Sequence, residues 1–230
     1  MNKTPSRKIS IAALRPVVVG QADPRLTNSL HQIASLLQLQ AADAGARPDE
    51  VLTDAAARIA TVAHWHAFRA QARNAGRRTL ALDDYLQAFS GHFVEVFPAQ
   101  SRITLLVNAD PIQVPARVAG LLGQIVNELV IKTVRQAFGP KSPGAIEVEC
   151  GMDADGAIAL QVGDDTRGHT NGYGLRAPGS FGMQIVKALV TQLGGRFTAP
   201  KRGARVSYRV TVPRPGRASS ARRTQPIHRR

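Results

Sequence analysis

The sequence predicts an α+β chain: a helical hairpin followed by a mixed α/β sandwich. Three observations carry this. Between positions 23 and 74, apolar residues recur at helical spacing on both sides of a single breaker. From 77 onward, strand-like alternation and helical periodicity take turns. No apolar run reaches the ~18–20 residues that a bilayer crossing needs. The expected divisions are a flexible arm over 1–22, the hairpin over 23–76, the sandwich over 77–213 and a basic tail over 214–230.

Residues 1–22 carry no acid and little periodicity. Arg15-Pro16 interrupts their one apolar stretch, so a signal peptide is not expected. Asp23-Pro24 is a helix start: Asp caps free N–H groups, and Pro is tolerated at the first helical position. Leu26, Leu30, Ile33 and Leu37 follow at 4-3-4 spacing, one stripe on a helix. Ala44 to Pro48 breaks it. A second helix reads over 49–74 with a stripe of Leu52, Ala55, Ile59, Val62 and His66. Such a hairpin buries only part of its stripes. Pairing with a second copy would make a four-helix bundle and bury the rest.

The sandwich reads in order. Leu82 to Phe97 is a helix, Arg102 to Val107 a strand, and Val114 to Phe138 a long helix started near Pro115. Ala145 to Cys150 and Ala157 to Val162 are strands joined by an Asp153 to Gly156 turn. Gly163 to Gly179 is loop. Ser180 to Leu193 is a helix ended by Gly194-Gly195, and Arg196 to Ala199 and Arg205 to Val212 are closing strands. The helices are expected on one face of a largely antiparallel sheet.

The net charge of +14 is uneven. From Thr166 to Arg230 there are 14 Lys and Arg and no acid, while the remainder is neutral, with 16 of each sign. Such a patch attracts polyanions. No aromatics interleave in the Pro/Ser/Arg-rich end, which argues against base stacking and for a solvated tail. The single Cys150 excludes an internal disulfide and fits a reducing compartment, so a cytoplasmic location is expected.

Three blocks stand out: Arg25 to Gln40, Asn127 to Phe138, and Gly179 to Gly195. In order and spacing they resemble sensor histidine kinases of the HisKA_2 or HWE-like type. In that family a dimerisation hairpin precedes a GHKL-type ATPase domain. The resemblance spans roughly 21–212. It implies an ATP-dependent kinase whose hairpin histidine takes the γ-phosphoryl group and passes it to a response regulator.

The match fails where that chemistry sits. Arg25, Asn28, Leu30, Ser35, Leu36 and Leu37 fall on the hairpin pattern, but the phosphoacceptor position is Pro24. Proline has no group that attacks phosphorus. Gln21 stands where the family often has a proton-accepting Glu. His31 is the fallback acceptor, although seven residues along a helix displace it by about 10 Å. His66 fits a hydrogen-bonded bundle histidine. His64 and His66, at i and i+2, face different sides of a helix and lack an acid or Cys partner, so no metal site is expected.

For the nucleotide, the resemblance implies Asn127, Glu128, Lys132, Asp164, Gly168, Gly179 and Gly182 as cofactor-binding positions. Asp164 would accept from the adenine amino group. The Gly179 and Gly182 helix start would meet phosphate with free backbone N–H groups. Lys132 replaces the family's Mg²⁺-holding Asn, and an ammonium has no lone pair for a cation. Thr166 replaces a glycine where the ring must approach closely. ATP binding is therefore expected to be weak and Mg²⁺ is not expected.

The leading expectation is a dimeric, histidine-kinase-like two-component signalling protein that lacks autokinase activity and docks a response regulator or another signalling protein. One alternative is a divergent active histidine kinase or phosphotransferase using His31. Another is a regulator that binds nucleic acid through its basic tail.

Overall fold

Helix α1 (Pro48–Asn74) begins with proline, whose missing N–H costs nothing in a first turn. It ends at Gly76, whose φ of 72° takes the left-handed turn that stops the helix. After it come β1 (Thr79–Ala81), α2 (Leu82–Val96), β2 (Ile103–Ala109), β3 (Gln113–Pro115) and α3 (Ala116–Ala137). Then follow β4 (Gly144–Met152), β5 (Ile158–Asp164), α4 (Phe181–Gln192), β6 (Arg196–Thr198) and β7 (Ser207–Val212). The computed structural model describes residues 31, 33–35, 38, 48–96, 102–138, 143–164, 181–200 and 207–215; of the segment before α1, residues 31, 33–35 and 38 are helical. Among the described residues, no helix is long and apolar enough to cross a membrane.

The α+β expectation holds. Five strands form one sheet in the order β2-β4-β5-β7-β6. Only β2 and β4 run parallel, because the long helix α3 carries the chain between them. Every other pairing in this sheet is antiparallel. One sheet face packs on helices: Ile146, Val148, Leu160, Val162 and Val210 are at most 1% exposed and meet α3 residues such as Leu122, Val126 and Leu129. The other face is the more open one, with Leu106 49% exposed.

The strand pair β1–β3 was not legible beforehand. Val114, expected to open the long helix, instead lies opposite Leu80 and is fully buried. The cause is Pro115. A residue before proline is pushed out of the helical region, so Val114 extends and the helix starts only at Ala116.

The stripe on α1 divides. Ala55 and Val62 are buried, whereas Leu52 is 70% and Ile59 47% exposed. The face of α1 that meets the rest of the molecule runs through Asp54, Arg58, Thr61, Trp65 and Ala72. It packs on α3, where Gly120 leaves room for Trp65 of α1 and Gly123 leaves room for Tyr85 of α2. A Cβ on Gly120 would stand 2.8 Å from the Trp65 ring, and one on Gly123 would overlap the Tyr85 ring of α2.

Candidate functional site

The residues that the sequence marked on the long helix fall at this seam. Asn127 and Glu128 are buried in the middle of α3. Arg58 reaches across from α1 and grips Glu128 with two bonds: Nε donates to Oε1 at 2.6 Å and Nη2 donates to Oε2 at 2.9 Å. Neither side chain is more than 6% exposed. Burial pushes the Glu128 carboxyl above its ordinary range, and Arg58 opposes that shift. Burial also works against the charge on Arg58, but the Glu128 contact outweighs it and holds the guanidinium more firmly protonated than usual. The paired donors favour the carboxylate form against that burial.

One turn further along α1, a second contact reaches the residue preceding Glu128 on α3. Thr61 Oγ1 donates to Asn127 Oδ1 at 2.9 Å and also lies 2.9 Å from the Ala57 carbonyl. At the other end, Arg135 Nη2 donates to the buried Asp54 Oδ1 at 2.5 Å. Asp54, Arg58 and Thr61 therefore clasp Arg135, Glu128 and Asn127 in antiparallel order. Gly182, expected to meet phosphate, faces this clasp. A Cβ there would stand 2.7 Å from Glu128 Oε2.

Asp164 closes β5, in the sheet rather than at the clasp, and is 2% exposed. Lys132, one turn beyond Glu128, is half-buried. Gln21, Pro24, Thr166, Gly168 and Gly179 lie outside the described residues.

A cavity of about 620 Å³ opens beside the clasp. His31 and Ser35 of the first helical segment, Arg58 and Val62 of α1, and Asn127 and Glu128 of α3 line it. Helix α4 adds a largely apolar wall that includes Ile185 and Leu189. His31 is exposed and shares this space with Asn127 and Glu128, so the structure brings together three of the residues marked from sequence. His64 does not join them. Its ring stacks on Tyr85 at 6.1 Å between centroids. Among the described residues, no cluster of His, Cys, Asp or Glu could hold a metal ion.

Sequence reasoning missed Asp54, Arg58 and Thr61. A signal was present: 54, 58, 61, 65, 68 and 72 follow 4-3-4-3-4 spacing. The first three are polar, so an apolar template passes over them.

Residues 23–97 match the histidine kinase family model HisKA_2. The chain is 23% identical over 198 residues to blue-light-activated histidine kinase 2 of Erythrobacter litoralis, covering 85% of this chain and 56% of that protein. It is 28% identical over 199 residues to the sensor histidine kinase PdtaS of Mycobacterium tuberculosis, covering 84% of this chain and 39% of that protein. The chain thus spans about half, or less, of the curated relatives it matches. In structure it is similar to the histidine kinase domain of the E. litoralis EL346 blue-light-activated kinase. That likeness has a TM-score of 0.54 at 21% identity, over 83% of this chain and 94% of that domain. Against the longer EL346 structure the TM-score is 0.58 at 19% identity, over 84% of this chain and 60% of that one.

Proposed function

We propose that this chain, a histidine-kinase-like signalling protein of the HisKA_2 type, does not phosphorylate itself and works as a dimeric docking partner of a response regulator. The observation that carries the reading is the Arg58–Glu128 ion pair. The acidic side chain of the nucleotide-type motif is committed to the hairpin in a buried two-bond contact. Both of its oxygens accept from Arg58, so taking a proton from another group would mean giving up part of that contact. Pro24 at the acceptor position and Lys132 at the metal position point the same way. ATP binding is weak in this reading and independent of Mg²⁺.

Incubation of the purified chain with γ-labelled ATP and Mg²⁺ tests it. No acid-labile, base-stable label should appear. Calorimetry should give one dissociation constant for ATP in Mg²⁺ and in EDTA. A tightening of more than tenfold, about 1.4 kcal/mol, would reveal a metal site and sink the proposal.

The second reading, a phosphotransfer protein using His31, is favoured by one observation: His31 lines the same cavity as Asn127 and Glu128. Label that appears on the parent chain and vanishes in His31→Ala would install this reading instead.

A further inference from the structure

We propose that the cavity between the hairpin and helices α3 and α4 binds a small, uncharged, amphipathic molecule, at a site separate from any nucleotide. Size permits it: about 620 Å³ falls within the range of small-molecule pockets. The lining sets the ligand's chemistry. Ile33, Val62, Ile185 and Leu189 offer an apolar wall for a flat or branched body. Ser35, Gln124 and Gln192 offer uncharged hydrogen-bonding groups for a polar head.

Charge excludes the other classes. Arg58 and Glu128 are the lining's oppositely charged residues, and they already neutralise each other at 2.6 and 2.9 Å. An anionic head drawn to Arg58 would meet the Glu128 oxygens beside it. A cationic head drawn to Glu128 would meet the guanidinium. Either would also lose hydration on entry, and His31, the other ionisable residue of the lining, is exposed to water and offers no buried counter-charge. A polyphosphate is the worst fit of all, so the cavity is not where a nucleotide's phosphates would rest. Because the walls belong to the first helical segment, α1, α3 and α4, an occupant bridges hairpin and sandwich. The bound molecule would tighten the clasp and resist separation of α1 from α3.

Nile red serves as the probe: it is uncharged, with an apolar polycyclic body and a carbonyl head. Titrated into the full chain, it should give a blue-shifted emission that saturates at one equivalent. Ala188→Trp fills the cavity from α4 and Ser35→Trp fills it from the opposite wall. Both positions are exposed, so the fold tolerates the added bulk, and matching thermal melts by circular dichroism check this. Each variant should weaken the dye at least tenfold. Leu106→Thr, on the open face of the sheet away from the cavity, should change nothing. Saturating ATP should not displace the dye, and the anionic dye anilinonaphthalene sulfonate should bind at least tenfold more weakly. The proposal is overturned by an absence of saturable binding, by indifference to both tryptophans, by loss in Leu106→Thr, or by equal binding of the anionic dye. Displacement by ATP would also overturn it, because the cavity would then belong to the nucleotide. The phosphorylation test above reads a different event, and its failure leaves the dye result standing.

Discussion

Glu128 shows how far a single side chain depends on its partner. Truncating it to Ala leaves the Arg58 charge buried without a counter-ion. We expect Glu128→Ala to cost about 3–5 kcal/mol in urea unfolding. Replacing both ends together, with Arg58→Met and Glu128→Leu, should recover most of that loss, since no charge is then stranded. A double variant as unstable as Glu128→Ala would show that the pair is not what holds the seam. Cys150 gives a pH-dependent counterpart. Burial, with Asp110 adding to it, pushes its thiol up from 9.0 to about 12. Folding therefore favours the protonated form. That stability is complete below about pH 9 and is lost as pH rises towards about 12. The buried Tyr85 and Tyr208 hydroxyls are also shifted upward, so the parent alone cannot isolate the thiol. The melting temperature of the parent should fall more steeply than that of Cys150→Ala across this window; equal slopes would refute the assignment. Asn127, Glu128 and Asp164 were legible in the sequence as marked residues, and Arg58 was not. Its partner lies 70 positions away, and no local pattern announces a pairing of that range.

At the scale of elements, periodicity was a good guide where one face of a helix is uniformly apolar and a poor one where it is not. Helices α3 and α4 were readable because Leu122, Val126 and Leu129, and Val186 and Val190, all turn to the sheet. Helix α1 was readable as a helix, but its packed face was misread. Leu52 and Ile59 looked like core, while Asp54 and Arg58 are buried in their place. The expected turn residues located Gly156 and Gly194, both of which adopt positive φ. Nothing comparable marked Gly123, whose role is to leave room for Tyr85. We expect Gly123→Ala to destabilise by about 1–3 kcal/mol, although alanine is the better helix former. A stabilised variant in thermal or urea melts would mean that α2 and α3 repack without strain.

For the whole molecule, the two large apolar side chains left outside on α1 matter most. Leu52 and Ile59 stand seven residues apart, two turns of one helix face. A second hairpin laid along that face would cover both, the arrangement expected from the sequence stripe. We expect light scattering to give a dimer at tens of micromolar and Leu52→Glu with Ile59→Glu to give a monomer of unchanged helicity. A parent that is monomeric at that concentration would reject the pairing. The architecture as a whole was legible because three sequence blocks sit in family order. The docking of α1 on α3 was not, because it rests on ion pairs and on space left by glycine.

The sheet order has a consequence for how the protein is made. Strand β7, the last of the described strands, does not lie at the margin of the sheet. It slots between β5 and β6, and its Tyr208, Val210 and Val212 are at most 2% exposed. During synthesis, β5 must therefore wait with one edge bare until residues 207–212 leave the ribosome. Until then its unpaired N–H and C=O groups are open to strands of neighbouring nascent chains. A product truncated before position 207 never closes that gap, and its fate is to aggregate or be degraded.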